Sequence, residues 1–160
     1  MPDSPLKANL REFLDSNANK IIDAIPFARE IGFEITDVRE TTVVARLPYK
    51  DKIVAEAESG IIAGGVITTL LDSLCGLSCG LRMGSLGAVA TLDLRIDYMR
   101  AATPYTDIIA EAECYHKTRS VCFSRAIAYH IDPSDTIATA AGAFAITAPD
   151  GASDNDKTAG

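Results

Sequence analysis

A single aspartate stands in the most apolar stretch of this 160-residue chain. Between Ile61 and Leu81 the ionisable side chains are Asp72 and two cysteines, and nearly all other residues are apolar or small. A carboxylate among apolar residues needs hydrogen bonds, a cation or a proton to offset its lost hydration. Carboxylates in such settings are frequent in active sites, so Asp72 is a candidate catalytic group. The alternative is an Asp72 that lies at an exposed edge beside a subunit contact or caps a backbone group.

Glycines come before this aspartate, where the helix is predicted to begin. The first N–H groups of a helix have no partner within the helix, and they lie at the positive end of its dipole. Without side chains, Gly64 and Gly65 let a ligand carbonyl approach these N–H groups, as in an oxyanion hole. Asp72 follows Gly65 by seven residues, two turns along the same helix face. The alternative is that the Gly-Gly pair permits close packing of the helix start against a strand.

The cysteines and histidines give no metal-binding pattern. Cys75 and Cys79 lie one helical turn apart, but no Cys or His close in sequence completes a ligand set. We therefore predict small buried apolar side chains and no metal. His116 and His130 fall in predicted strands and are interpreted as partly exposed strand residues.

The surrounding elements predict an α+β fold. Residues 91–98 alternate with a strict period of two, which places Thr91 on the polar face of a half-buried strand, opposite Leu92 and Leu94. An antiparallel sheet of about six strands wrapped around the long apolar helix would bury that helix, which is the geometry of a hotdog fold. A membrane span is disfavoured because a central Asp costs about 2.5–3.5 kcal/mol. The predicted elements are a short amphipathic helix (Ser4–Asn19), a β-hairpin (Ile31–Tyr49), the apolar helix (Ile61–Leu81) and strands near 91–98, 108–115, 121–131 and 137–147.

Length and charge bound the organisation of the chain. We expect an N-terminal helical segment over residues 1–24, one globular domain over 25–147 and a disordered acidic tail over 148–160. A net charge of −7 opposes binding of nucleic acid, whose phosphates require a basic surface. The first residues have no apolar signal-peptide core, and with four cysteines this favours the reducing cytoplasm.

The spacing of these residues resembles a known family, the PaaI-like hotdog acyl-CoA thioesterases of the phenylacetate-pathway type, within the 4-hydroxybenzoyl-CoA thioesterase superfamily. Members carry a His-Gly-Gly turn, a catalytic Asp two helical turns later and often a Gly after it. The corresponding residues here are Ala63-Gly64-Gly65, Asp72 and Gly76. The segments IPFAREIGFEI and ATLDLRIDYMRAA resemble the family's first and third strands, so the resemblance covers about Ile25 to Ile146.

The resemblance implies hydrolysis of an aromatic or medium-chain acyl-CoA, with no cofactor beyond the CoA of the substrate. Asp72 would act as general base or nucleophile across a dimer interface, and the Gly65 N–H would bind the oxyanion. Thr91 matches a Ser or Thr that orients water in some relatives, and the alternative is an ordinary polar strand residue. A homodimer or homotetramer is implied.

Two positions depart from the family pattern. The family's His is Ala63 here, and its Asn or Gln is Ala57, flanked by Glu56 and Glu58. A positioned acid, base or oxyanion donor is worth roughly 10²–10⁴ in rate, so a catalytically weak or inactive acyl-CoA-binding protein is the alternative function. A hotdog dehydratase would need a His on the helix, and no His precedes Tyr115.

Phosphates of CoA would require basic side chains. The resemblance points to two groups of substrate-binding residues, and for each basic one the alternative is a solvated surface charge. They are Ala63 and Gly64 at the helix start and the basic residues Arg82, Arg100, Lys117 and Arg119.

Overall fold

A computed structural model describes residues 12–13, 16–17, 19–84 and 89–147, and it confirms the predicted α+β class. Its elements are α1 (Pro26–Ile31), β1 (Glu34–Val38), β2 (Thr42–Leu47), a 3-10 turn (Asp51–Ile53), α2 (Gly64–Met83), β3 (Val89–Tyr98), β4 (Ile108–Lys117), β5 (Val121–Tyr129) and β6 (Ala138–Ile146). The six strands form one antiparallel sheet in the order β1-β2-β4-β5-β6-β3.

Helix α2 packs one face against the sheet and leaves the other partly open. Leu70, Leu71 and Leu74 recur at helical spacing and are 0% exposed, which gives the helix its buried face. The opposite face carries Asp72 and Gly76, both half-buried. The expectation of a helix buried all round is therefore wrong for this chain taken alone. Helix α2 is long and apolar enough to cross a membrane, yet its apolar face is the core of this domain.

The predicted hairpin is confirmed, but it begins later than the alternation suggested. Ile31 ends α1 and does not start a strand, because Gly32 takes a left-handed conformation (φ 74°) that stops the helix. Strand β1 then pairs with β2 from Glu34 onward.

The described residues just before α1 dock onto the domain. Residues 19–23 are helical, and Ile22 is 1% exposed within the core. The side chain of Asn19 accepts the Ile35 N–H at 2.7 Å and donates to the Ile35 carbonyl at 3.3 Å, which ties the segment to β1. Most of the predicted helix over Ser4–Asn19, and all of the predicted tail over 148–160, lie outside the described residues.

Strand β3 lies at one edge of the sheet and is not half-buried as predicted. It pairs with β6 alone among the described strands, and its register shifts between Thr91 and Asp93. Leu92 is 61% exposed and Tyr98 is 49% exposed, although the alternation had placed both on the apolar face. The reason is the edge position together with a bulge, which breaks the period of two.

Candidate active site

Asp72 and Thr91 form a hydrogen-bonded pair between α2 and β3. The Thr91 Oγ1 hydroxyl donates to Asp72 Oδ1 at 3.0 Å. Asp72 is half-buried on the open face of the helix, so solvent reaches a carboxylate whose orientation is fixed by a neighbouring hydroxyl. A fixed, accessible carboxylate is suited to accept a proton from water or to attack an acyl carbon.

The bulge in β3 turns Thr91 toward the helix. Thr91 pairs with Phe144, which is 1% exposed in the core, whereas Asp93 pairs with Ala143 on the outer face of the sheet. One extra residue, Leu92, lies between the two pairs and reverses the face on which Thr91 stands. The predicted placement of Thr91 on the same face as Asp93 is therefore wrong, and the fold brings its hydroxyl to Asp72.

A pocket of about 290 Å³ opens beside this pair. Its wall is mostly apolar, with a short polar stretch formed by Asp72, Ser73 and Thr91. An apolar pocket with a few fixed polar groups is the usual form of a small-molecule site. The remaining lining residues are Ile21, Ile25, Gly76, Leu77, Gly80, Val89 and Phe144.

The first N–H groups of α2 are open to a ligand. The Val66 and Ile67 N–H groups bond to the Ala63 carbonyl, and within the described chain no hydrogen bond takes the N–H of Gly64 or Gly65. A Cβ at Gly65 would meet no heavy atom within 4 Å, whereas one at Gly64 would come within 3.2 Å of the Tyr98 hydroxyl. Close packing thus accounts for Gly64 but not for Gly65, whose missing side chain leaves a free approach to its N–H.

The two alanines that depart from the family pattern contribute no polar group. Ala63 is the N-cap of α2 and makes no side-chain capping bond, and Ala57 is exposed in the loop closed by the Val54–Ile62 bridge. Glu56 and Glu58 are exposed, and their carboxylates make no hydrogen bond to the described residues. No other side chain in this loop replaces the missing donors.

The four predicted basic residues do not form one cluster. Lys117 and Arg119 are exposed at the β4–β5 turn, and the Ser120 carbonyl in that turn accepts the Ile146 N–H beside the start of β3. Arg82 lies in the last turn of α2 at the same end of the sheet, where its charge acts on Cys114 and that of Lys117 acts on Cys122. Arg100 lies apart from these three residues, and its guanidinium is already paired, with hydrogen bonds of 2.7 and 2.8 Å to the Asp135 carboxylate.

The fold brings together three cysteines that sequence spacing kept apart. The Sγ atoms of Cys79, Cys114 and Cys122 lie within 4.8 Å of one another, and all three residues are 0% exposed. Hydrogen bonding from Cys79 holds the pKa of the Cys114 thiol below its usual range and raises that of Cys79. Burial raises the pKa of the Cys75 thiol to about 11. The prediction that Cys75 and Cys79 are buried is confirmed, and the fold gives Cys79 two cysteine neighbours that are distant in sequence.

The histidines lie away from this site. The Nε2 atom of His130 accepts the Thr103 N–H at 2.8 Å, so Nδ1 carries the proton that it donates to the Asp107 carbonyl at 2.6 Å. His116 is exposed on β4, with its ring 5.9 Å from that of Phe123. His116 therefore lies in a strand as predicted, whereas His130 follows the end of β5 and its strand assignment is wrong.

Known proteins share this arrangement of sheet and helix. The sequence pattern of the thioesterase superfamily matches residues 59–137. The crystal structure of a Pseudomonas aeruginosa protein is similar, with a TM-score of 0.75 and 39% identity, covering 82% of this chain and 98% of that one. The chain belongs to the thioesterase superfamily.

More distantly similar solved structures share the fold. The Escherichia coli PaaI protein from the phenylacetic acid degradation operon is 17% identical (TM-score 0.72, covering 87% of this chain and 96% of that one). Zebrafish thioesterase superfamily member 2 is 20% identical (TM-score 0.71, covering 82% and 97%). No curated protein matches the sequence. The predicted hotdog fold is confirmed.

One residue at the helix start of this thioesterase-superfamily domain, Tyr98, was not predicted from the sequence. The Tyr98 hydroxyl donates to the Gly64 carbonyl at 2.6 Å and lies 2.8 Å from Thr68 Oγ1. The available signal was a tyrosine at the end of the predicted strand that carries Thr91, seven residues after it. Tyrosine is common in strands, so this signal is weak without the fold.

Proposed function

We propose that this protein hydrolyses an acyl-CoA thioester to a free acid and CoA. The observation that carries the proposal is the Thr91–Asp72 hydrogen bond beside an apolar pocket, on the helix whose first N–H groups are open. Thioester hydrolase chemistry is the activity of the superfamily to which the chain belongs. An aromatic or medium-length acyl group suits the apolar wall formed by Ile25, Leu77 and Phe144.

The reaction follows from these groups. A water molecule attacks the thioester carbonyl carbon while Asp72 accepts its proton, and the carbonyl oxygen becomes an oxyanion held by the Gly65 N–H. Collapse of this intermediate breaks the carbon–sulfur bond, and the CoA thiolate leaves and takes up the proton. In the alternative route Asp72 attacks the carbonyl carbon itself and expels the CoA thiolate, and water then hydrolyses the resulting mixed anhydride to the free acid and the Asp72 carboxylate.

The two parts of the site are far apart within one chain. Seven residues of α-helix separate the Gly65 and Asp72 Cα atoms by about 10 Å along the axis. A carbonyl whose oxygen contacts Gly65 would place its carbon beyond direct attack by Asp72 of the same chain, since reacting atoms approach to about 3–3.5 Å. We therefore propose that each site forms between two copies of the chain. One copy contributes the Gly65 N–H, and the other contributes Asp72 and Thr91.

The edge strand β3 is the surface on which this second copy is proposed to pair. It presents ten residues at the sheet edge, including the exposed Leu92. An edge strand presents unpaired backbone N–H and C=O groups that can pair with another chain, and a two-fold axis would let β3 pair with its own copy. Size-exclusion chromatography with light scattering is expected to give a dimer or a dimer of dimers, and a strict monomer would remove the two-chain site.

Complementation tests the shared site directly. Asp72→Asn and Gly65→Val should each be inactive alone, since one lacks the proton acceptor and the other blocks the N–H. When the two are coexpressed with different tags, random pairing makes half of all dimers mixed with one intact site each, so about a quarter of wild-type activity should return. If each site lies within one chain, no activity returns.

The CoA nucleotide is proposed to bind near Arg82, Lys117 and Arg119. These residues share one end of the sheet, whereas Arg100 is paired with Asp135 and is the weaker candidate. Arg119→Glu is expected to raise KM for an acyl-CoA and to leave KM unchanged for the same acyl group on N-acetylcysteamine, which lacks the phosphates. An equal rise for both substrates would contradict this placement.

The second candidate function is an acyl-CoA-binding protein without turnover. It is favoured by Ala57 and Ala63, which offer no hydrogen bond where relatives position water. The deciding experiment measures CoA release by chromatography for the wild type, Asp72→Asn and the control Asp132→Asn, which keeps the acceptor for the Ser134 N–H. Turnover that falls at least about a hundredfold in Asp72→Asn alone supports hydrolysis. Binding without CoA release in all three supports the binding protein.

A further inference from the structure

Tyr98 and Thr68 form a directed hydrogen-bond chain that ends on one peptide group. A tyrosine hydroxyl has one proton, and that of Tyr98 is donated to the Gly64 carbonyl at 2.6 Å. The Thr68 hydroxyl, 2.8 Å from the Tyr98 oxygen, must then be the donor in the second bond. The chain therefore runs from Thr68 through Tyr98 to Gly64.

The peptide group that receives this chain also contains the Gly65 N–H. The Gly64 carbonyl and the Gly65 N–H share one resonance-stabilised unit, so a donor at the oxygen draws electron density away from the nitrogen and makes the N–H more acidic. Hydrogen bonds in series strengthen one another by about 10–30% each in condensed phases. The same bonds hold the peptide plane, and with it the direction of the N–H.

This hydrogen bond is not needed to satisfy the helix. Helical geometry already supplies the Thr68 N–H to the Gly64 carbonyl, as the i to i−4 bond of α2. The carbonyl has a second lone pair, and Tyr98, 49% exposed, reaches it from the edge strand. A second donor on a carbonyl that the helix already pairs restricts the side chain that donates it and adds little to the stability of the fold.

We infer that Tyr98 is a positioning residue that orients and polarises the Gly65 N–H for the developing oxyanion, with Thr68 as the second member of the chain. The inference rests on the proposed thioester hydrolysis. It extends that proposal to two residues to which the resemblance assigns no role, and Tyr98 acts through the peptide group without contacting the substrate. Its effect belongs to the transition state, where the oxygen is charged, more than to substrate binding.

The kinetic test compares Tyr98→Phe with Tyr115→Phe. Tyr115 is a matched control because it is 47% exposed, lies beside Arg125 on the outer face of the sheet, and its hydroxyl makes no hydrogen bond to the described residues. Tyr98→Phe is expected to lower kcat about tenfold or more with KM changed less than twofold. Thr68→Val should give a smaller loss in the same direction, and Tyr115→Phe none. A rise in KM with unchanged kcat would overturn the inference, because it would make Tyr98 a substrate contact.

A spectroscopic test stands independently of turnover. In the ligand-free protein, loss of the bond to Gly64 should move the Gly65 amide proton resonance upfield in Tyr98→Phe, and to a smaller extent in Thr68→Val. Tyr115→Phe should leave it unchanged. If the wild type releases no CoA, the proposed hydrolysis fails, and the Gly65 resonance then decides whether Tyr98 acts on this amide. A Gly65 resonance that does not move in Tyr98→Phe overturns the inference. In an active enzyme, a resonance that moves while kcat stays at the wild-type value overturns it as well.

Discussion

Thr91 reaches Asp72 because β3 is bulged. The hydrogen bond of 3.0 Å between them joins an edge strand to the open face of α2, and the register shift between Thr91 and Asp93 makes it geometrically feasible. Without the extra residue, Thr91 would stand on the outer face with Asp93, away from the helix. A local irregularity of one strand thus fixes the orientation of the proposed catalytic carboxylate.

The hydroxyl of Thr91 is therefore predicted to matter more for activity than the shape of its side chain. Thr91→Val keeps the shape but removes the donor to Asp72, and we expect kcat to fall about 10- to 100-fold because the carboxylate loses its fixed orientation. Thr91→Ser keeps the hydroxyl and should retain most activity. Steady-state CoA release measures both. Equal losses in the two variants would show that the methyl group, and not the hydrogen bond, is required.

Gly65 is predicted to serve the ligand and not the fold. Since a Cβ there meets no atom within 4 Å, Gly65→Ala should leave the melting temperature unchanged or slightly higher, while kcat/KM falls as the methyl group crowds the approach to the N–H. Gly142→Ala is the contrasting variant, because its Cβ would lie 2.6 Å from the Asp93 carbonyl. That variant should lower the melting temperature clearly. A large loss of stability in Gly65→Ala would contradict this assignment.

The periodic elements were predictable from sequence, and the irregular ones were not. The alternation around Ala45 and the apolar repeat around Leu74 follow from burial, which acts on every residue of a face. The bulge at Leu92 and the contact between Cys79 and Cys114 depend on how distant strands meet, and no local pattern encodes them. Asp72 was identified because a carboxylate among apolar residues is costly to bury, although the fold places it on the open face of α2 with a hydroxyl partner.

Lowering the pH should remove a stabilising contribution of the loop before β4. The Asp107 carboxylate accepts the Tyr49 N–H at 2.7 Å and pairs with Arg46 at 2.6 Å, and these contacts, the Tyr49 N–H first, hold the pKa of Asp107 below its usual value. A carboxyl whose pKa is lowered by folding stabilises the fold above its unfolded pKa, about 3.9, and loses that contribution as the pH falls through the folded value.

Asp107→Asn tests this pH dependence. The variant should unfold at lower urea concentration than the wild type at pH 7, and the difference should shrink as the pH falls below about 4. Asp23→Asn, at an exposed residue without a hydrogen bond to the described chain, should match the wild type throughout. A difference between Asp107→Asn and the wild type that is the same at pH 7 and pH 3 would mean that the charge of Asp107 is not what stabilises the loop.

The four cysteines are predicted to be unreactive until the protein unfolds. Cys75, Cys79, Cys114 and Cys122 are all buried, and burial raises the pKa of Cys75 to about 11. At pH 8 only about one Cys75 thiol in a thousand is then ionised, and the thiolate is the nucleophile. Although hydrogen bonding lowers the pKa of Cys114, its sulfur is enclosed by α2, β4 and β5, so access limits its reaction.

Labelling with a chromogenic disulfide at pH 8 should give a slow reaction in the native state and four rapid equivalents in denaturant. One rapid native equivalent that disappears in Cys114→Ser would instead show that the hairpin of β4 and β5 opens to solvent without global unfolding.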